Sequence, residues 1–323
     1  MRYRLLGRTG LRVSELFLGT MGFGGQGAQP DACRRILDRY DDAGGNVVDT
    51  AINYRDGESE SILGGLLGSR RDRFVLATKY SASRDGSDPN AAGNHRKNLM
   101  SSLETSLRRL RTDRIDLYWV HLWDPHTPVE ETMRALDDAV RAGKIQYVGI
   151  SDAPAWVVAQ ANTLAQWQGW TQFAGLQVPY NVLSRDIERE LLPMAEAFGM
   201  TVATWAPLAH GALAGRAGSE PADARTRKAV RALREVADEL GATPAQVAIA
   251  WTRARSRAVH PILGARTVAQ LEDNLGALAV SLPDNAIERL DATGEFTLGF
   301  PGDFLAGAGA MAFGEVSTRV DGR

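Results

Sequence analysis

Phe74-Val-Leu-Ala-Thr-Lys79 is followed by the stretch Arg96 to Leu110, which carries Leu99, Leu103, Leu107 and Leu110, and then by Asp116-Leu-Tyr-Trp-Val-His121. A short apolar run, a segment with a leucine at each helical turn and a second apolar run read as strand, helix and strand. The alternation continues on both sides. Leu16 to Gly19 and Val47 to Asp49 come before, and Tyr147 to Ser151, Gly175 to Tyr180, Val202 to Ala206 and His260 to Gly264 come after. Most intervening segments read as helices. Asp31 to Asp42 places Cys33, Ile36, Leu37 and Tyr40 at helical spacing, and Pro30-Asp31, Pro128 and Thr243-Pro244 are helix-start signals. Repeated βα units imply a parallel sheet, and eight of them close most naturally into an α/β fold of the (β/α)8 TIM-barrel type. The active site of such a barrel lies at the C-terminal ends of the strands.

Ahead of the first barrel strand, Tyr3 to Leu6 and Leu11 to Ser14 flank Gly7-Arg-Thr-Gly10 and predict a β-hairpin within residues 1–15 that caps the barrel bottom. Residues 295–323 are rich in Gly, Ala and Phe without periodicity, and predict a C-terminal loop or tail. Nothing between these ends reads as a linker, so residues 1–323 are expected to form one domain. At 44% hydrophobic and 24% charged, the 323-residue chain has the composition of a soluble protein with a large core. A net charge of −2 gives no general attraction to nucleic acid or anionic membrane. The single cysteine, Cys33, suits a reducing compartment, the start lacks the apolar run of a secretory signal, and no segment has the length of a membrane span, so a cytoplasmic location is expected. The five histidines show no metal-ligand spacing, and no metal is expected.

A competing reading starts at Gly22-Phe-Gly24-Gly-Gln-Gly27, which matches G-x-G-x-x-G, follows a strand and has Asp49 further on, as an open dinucleotide-binding sheet would require. The first glycine, however, lies several residues past the strand, and the helix begins at Pro30-Asp31, after the third. The count of βα units also exceeds that of the open fold. These glycines are read instead as a loop at the barrel mouth, with Phe23 as a candidate wall of a substrate pocket.

The barrel supplies a position test for reactive residues. Asp49 ends the second strand, Tyr54 follows in the next loop, Lys79 ends the third strand and His121 the fourth. Singly, an Asp caps a loop, a Lys is solvated and a Tyr packs; together, on three adjacent strands, they put four polar groups on one rim. Carbonyl reduction by a nicotinamide needs a proton donor for the developing alkoxide. Tyr54 can be that acid, because a neighbouring ammonium favours the ionised phenol. Lys79 would supply the ammonium, Asp49 would hold Lys79 charged, and His121 would donate a hydrogen bond to the carbonyl oxygen. Trp123, His126, Tyr180 and Arg185 follow the fourth and sixth strands and fall near the mouth, with Trp123 a second candidate pocket wall. Trp156, Trp167 and Trp170 lie in a helical segment and read as packing residues.

From the hairpin to about Leu290 the sequence resembles the aldo-keto reductase superfamily. The likeness is carried by Val48-Asp-Thr-Ala-Ile-Asn-Tyr54, Glu58-Ser-Glu60 with Leu63-Gly64, Ala77-Thr-Lys79, Ile115-Asp-Leu-Tyr-Trp-Val-His121, Gly143-Lys144 leading into Gly149-Ile-Ser151, Leu208-Ala-His-Gly-Ala-Leu213 and Gln270-Leu-Glu-Asp-Asn274. It implies that Asp49, Tyr54, Lys79 and His121 form the family's catalytic tetrad. It further implies an NADPH site: Gly19, Thr20 and Met21 lining it, Ser151, Asp152 and Gln177 on the nicotinamide carboxamide, and Trp205 stacked on the ring. The loop Pro207 to Arg216, with Leu208, Gly211 and Leu213, would lie over the pyrophosphate. Gly264, Arg266, Gln270 and Asn274 would hold the adenosine end, Arg266 pairing with a 2′-phosphate. The family usually has Asn where this chain has Asp152, and often Lys where it has Gly264. The implied activity is NADPH-dependent reduction of a small carbonyl compound. Two other readings stand beside it: an NADPH-binding regulatory or redox-sensing subunit, and an isomerase or lyase in which Lys79 forms a Schiff base. Substrate identity and oligomeric state are not legible in the sequence.

Overall fold

The computed structural model describes residues 1–215, 223–294 and 296–319. Two short strands, β1 (Tyr3–Leu5) and β2 (Arg12–Ser14), pair antiparallel with Tyr3 opposite Ser14. Eight more form a closed parallel barrel: β3 (Phe17–Gly19), β4 (Val47–Asp49), β5 (Val75–Tyr80), β6 (Ile115–Val120), β7 (Ile145–Ser151), β8 (Phe173–Pro179), β9 (Thr201–Trp205) and β10 (Val259–Gly264). The ring shuts where β10 pairs with β3, Ile262 opposite Phe17 and Gly264 opposite Gly19. Closure rules out the open dinucleotide-binding sheet that the glycine motif suggested. Residues 22–28 instead make a compact loop, with Gly24 N bonded to Ala28 O and Ala28 N to Gly22 O, before the helix begins at Pro30.

Helices α1 (Pro30–Asp42), α2 (Glu58–Leu67), α3 (Arg96–Leu110), α4 (Val129–Arg141), α5 (Ala155–Gln168) and α6 (Leu191–Phe198) each follow one of strands β3 to β8. Two helices, α7 (Ala224–Leu240) and α8 (Pro244–Ala254), separate β9 from β10, and α9 (Val268–Gly276) and α10 (Asp284–Asp291) come after β10. Local chemistry sets the ends. Thr243 and Gln246 close a reciprocal capping box at the start of α8, worth about 1 kcal/mol. α3 buries Leu99, Leu103, Leu107 and Leu110 on one side, as their spacing dictates, and stops where Arg111 turns left-handed.

Alternation along the strands makes two cores. Leu18, Val48, Leu76, Tyr118 and Val120 join the layer that includes the helices, while Phe17, Val47, Val75, Leu117 and Trp119 join a second cluster with Leu6 and Val13 of the hairpin. Trp119 is fully buried there, and neighbouring strands make room for it: a Cβ on Gly149 would lie 2.4 Å from the indole, and one on Gly175 2.8 Å.

The C-terminal stretch differs from a plain loop. It contains α11 (Gly302–Gly307), α12 (Gly309–Phe313) and a 3-10 turn, Gly314–Arg319. Segments this short show no periodicity a sequence could reveal. Their apolar side chains Phe300, Phe304, Leu305, Met311 and Phe313 are exposed. The root of the tail is held firmly: the Phe296 ring lies under the Arg185 and Arg189 guanidinium groups, at 4.8 and 4.9 Å, and Arg189 Nε donates to Thr297 O.

Candidate active site

Asp49 is the last residue of β4, and the chain beyond it runs along β5, with Thr50 N bonded to Ala77 O and Ile52 N to Lys79 O. That path delivers Tyr54 beside Lys79. Lys79 Nζ donates to the Asp49 carboxylate, to Thr50 O at 2.8 Å and to Tyr54 Oη at 3.2 Å, and lies 4.8 Å from the centre of the Tyr54 ring. Gln177, from β8 across the barrel, donates to the other Asp49 oxygen at 3.1 Å. Lys79 and Asp49 are both buried. Burial opposes the ammonium, but the Asp49 carboxylate, followed by Tyr54, outweighs it and holds the Lys79 pKa above its ordinary value.

His121 follows β6, its backbone N bonded to Tyr80 O, and its ring meets Tyr54 edge-on with centroids 5.8 Å apart. Burial first, and the Lys79 charge second, push its pKa down to about 3. The imidazole is therefore neutral near pH 7. Its Nδ1 is buried without a partner among the described residues. The four residues singled out from the sequence thus share one cluster at the mouth.

Other expected positions are more varied. Thr20 is buried, and its hydroxyl bonds Asp49 O at 3.1 Å and Ser59 Oγ at 3.0 Å; it neighbours Gly19 at the end of β3 and the exposed Met21. Ser151 ends β7. Asp152 follows with a left-handed backbone (φ 46°), its N–H on Gln177 O and its carboxylate accepting from Trp205 Nε1 at 3.3 Å. After β9 comes Pro207, and Leu208 precedes a 3-10 segment containing Gly211 and Leu213; Leu213 is fully buried, so its side chain belongs to the core. Arg216 lies outside the described residues. Gly264 ends β10, and Asn274 donates to its carbonyl at 3.2 Å, while Gln270 accepts from the Arg266 backbone at 2.9 Å, leaving the Arg266 side chain exposed.

The two expected pocket walls part company. Phe23 is fully buried in the core, because the loop of residues 22–28 folds its ring inward. Trp123 is half-buried and meets Trp156 edge-on at 5.8 Å. Tyr180 and Arg185 are also buried, both bonded to Glu188. Conversely, Trp156 and Trp167 are 61% and 88% exposed, which corrects their reading as packing residues. α5 contains no charged residue, so its sequence does not mark the outward side. Among the described residues no group of His, Cys, Asp or Glu is arranged to hold a metal ion.

A closed eight-stranded barrel with a buried Lys–Asp pair, a tyrosine and a neutral histidine at its C-terminal rim defines a class of barrel enzyme. Comparison with known proteins narrows the class. The model of the aldo/keto reductase family matches residues 15–295, and the chain belongs to that family. It is 43% identical over 317 residues to norsolorinic acid reductase of Emericella nidulans, covering 92% of this chain and 82% of the relative. An aldo-keto reductase of Aspergillus calidoustus is 37% identical over 335 residues (94% and 85%), and a norsolorinic acid reductase of Aspergillus flavus 37% over 316 (92% and 81%). The protein is accordingly an oxidoreductase of a family that generally uses a nicotinamide cofactor.

Proposed function

We propose that this protein reduces an aldehyde or ketone to the alcohol with NADPH, and that Tyr54 supplies the proton. The observation that carries the reading is the buried Lys79, which donates at once to the Asp49 carboxylate and to the Tyr54 hydroxyl. When bound, the cofactor supplies the hydride. The chain does the rest. Tyr54 passes its proton to the carbonyl oxygen, and the Lys79 ammonium stabilises the phenolate left behind. Asp49 keeps Lys79 charged and fixed, and Gln177 fixes Asp49. His121 is neutral, and an orphaned N–H is worse than an orphaned acceptor, so its buried Nδ1 is the unprotonated nitrogen and Nε2–H the donor to the substrate oxygen.

The rim fits a dinucleotide. Trp205 offers a partly exposed indole, the Asp152 carboxylate meets its Nε1, and Arg266 offers an exposed guanidinium next to the N-terminus of α9. A 2′-phosphate would pair with Arg266, which favours NADPH over NADH. The net charge of −2 and the lone buried cysteine support a cytoplasmic enzyme acting on small molecules rather than nucleic acid. No helix among the described residues is long and apolar enough to cross a membrane.

The test follows NADPH absorbance with a panel of aldehydes, ketones and keto-sugars. Norsolorinic acid belongs in it because four relatives carry its name. Turnover is expected, with Tyr54→Phe reducing it roughly 10²- to 10⁴-fold. Tight NADPH binding without turnover of any carbonyl would favour a regulatory subunit instead.

A further inference from the structure

Glu58-Ser-Glu60 stands directly behind the Tyr54 turn, at the start of α2, and none of its side chains enters the chemistry above. Each nonetheless has a defined partner. Glu58 accepts from Gly25 N at 2.8 Å and so ties down the mouth loop. Ser59 Oγ lies 3.0 Å from the hydroxyls of both Thr20 and Thr50. Glu60 is fully buried, accepts from Thr78 Oγ1 at 2.7 Å and faces Arg109 Nη1 at 3.3 Å.

Arg109 arrives from α3 and bridges Glu60 to the loop that carries Tyr54. Its Nη1 donates to Ile52 O at 2.9 Å, two residues before the tyrosine. Three residues after the tyrosine, the guanidinium fills the space where Gly57 has no side chain: a Cβ there would lie 2.1 Å from Arg109 Cζ, and φ is +90°. Between these two holds, Arg55 and Asp56 keep left-handed conformations, φ 50° and 54°, which L side chains rarely adopt. A turn of this kind persists only where its surroundings fix it. The fixed point is Glu60, whose Thr78 partner is the residue before Lys79, so the guanidinium is referenced to the strand that carries the ammonium.

We propose that Arg109, oriented by Glu60, is a positioning residue that holds the Tyr54 hydroxyl in register with Lys79 Nζ. The inference rests on Tyr54 being the proton donor.

The experiment compares Arg109→Met, Arg109→Lys and the charge-neutral pair Arg109→Met with Glu60→Gln, each with Tyr54 intact and with Tyr54→Phe. It reads kcat, the NADPH dissociation constant by protein fluorescence, and Tm. Arg109→Met is expected to lower kcat about ten- to a hundredfold, the scale of a small misplacement of a reacting group, with NADPH affinity unchanged. Arg109→Lys, which keeps a charge but can meet only one of the two acceptors well, should recover part of kcat. On the Tyr54→Phe background, Arg109→Met should remove nothing further, because the arginine acts through the phenol. A full kcat with a lowered Tm would overturn the proposal and leave Arg109 a structural strut. So would an equal fold-loss on both backgrounds. If Tyr54→Phe alone kept the full rate, the proton-donor reading would be the one to fail, which separates the two ideas. Should Arg109→Met be insoluble for want of a partner for buried Glu60, the charge-neutral pair carries the same comparison.

Discussion

The barrel mouth has two unlike halves. On the side of β4 to β6, Asp49 and Lys79 are buried, Tyr54 is bonded to Lys79, and His121 is neutral beside them. On the side of β9, β10, β3 and the tail, the side chains of Met21, Arg266 and Phe300 stand in solvent and Trp205 is only partly covered. A charged pair out of water needs its partners already in place, since desolvation would otherwise neutralise it. Groups that must meet a large polar ligand gain from being left open until it arrives. Under the proposed function, the difference teaches that a chemical centre is held by the fold itself, whereas a recognition surface is completed by what it binds.

The comparison can be broken most severely at Lys79. Lys79→Met leaves the buried Asp49 carboxylate with Gln177 as its one side-chain donor among the described residues. The expected result is loss of turnover together with about 3–5 kcal/mol of stability by denaturant unfolding. An unchanged midpoint would mean the pair is not held by burial. On the open side, Arg266→Ala should leave stability within about 0.5 kcal/mol. It should raise the Michaelis constant for NADPH about tenfold and that for NADH far less. Equal effects on the two cofactors would remove the 2′-phosphate contact.

The remaining effect concerns pH and develops only on acidification. His121 is pushed down to about 3 in the fold, below its ordinary 6.5, so the unfolded chain takes up its proton first on acidification. Stability is therefore fully present above pH 6.5 and falls as pH drops from 6.5 toward 3, by up to about 1.4 kcal/mol per unit. Buried His260, lowered to about 4, adds a parallel loss. Unfolding curves at pH 7, 5.5 and 4.5 should show a shallower decline in His121→Gln than in the parent protein. Identical slopes would mean that His121 is solvated enough to titrate normally.

Strand and helix positions were legible because each is a local pattern. The run Arg96 to Leu110 marked α3 by its leucines, and β4 to β6 by their apolar runs. The shared rim position of Asp49, Tyr54, Lys79 and His121 was legible for a related reason: in a βα repeat, the end of a strand is the rim. Arg109 was not. It reads as one more arginine at the end of an amphipathic helix, and only the packing of α3 against α2 sets it between Glu60 and Ile52. Phe23 misled because a glycine-rich mouth loop gives no sign of which way it folds, and here it turns the ring into the core.

The sequence by itself determined the repeating unit, the closed class of fold to which eight such units lead, and the placing of an Asp, a Tyr, a Lys and a His at or just after the ends of three adjacent strands, since all three depend on spacing along the chain. The tertiary structure alone decided the environment of those residues: that Lys79 lies between Asp49 and Tyr54 out of water, that His121 is neutral, and that a distant Gln177 and Arg109 reach the same centre. Burial and charge are sums over neighbours that the chain brings together only on folding.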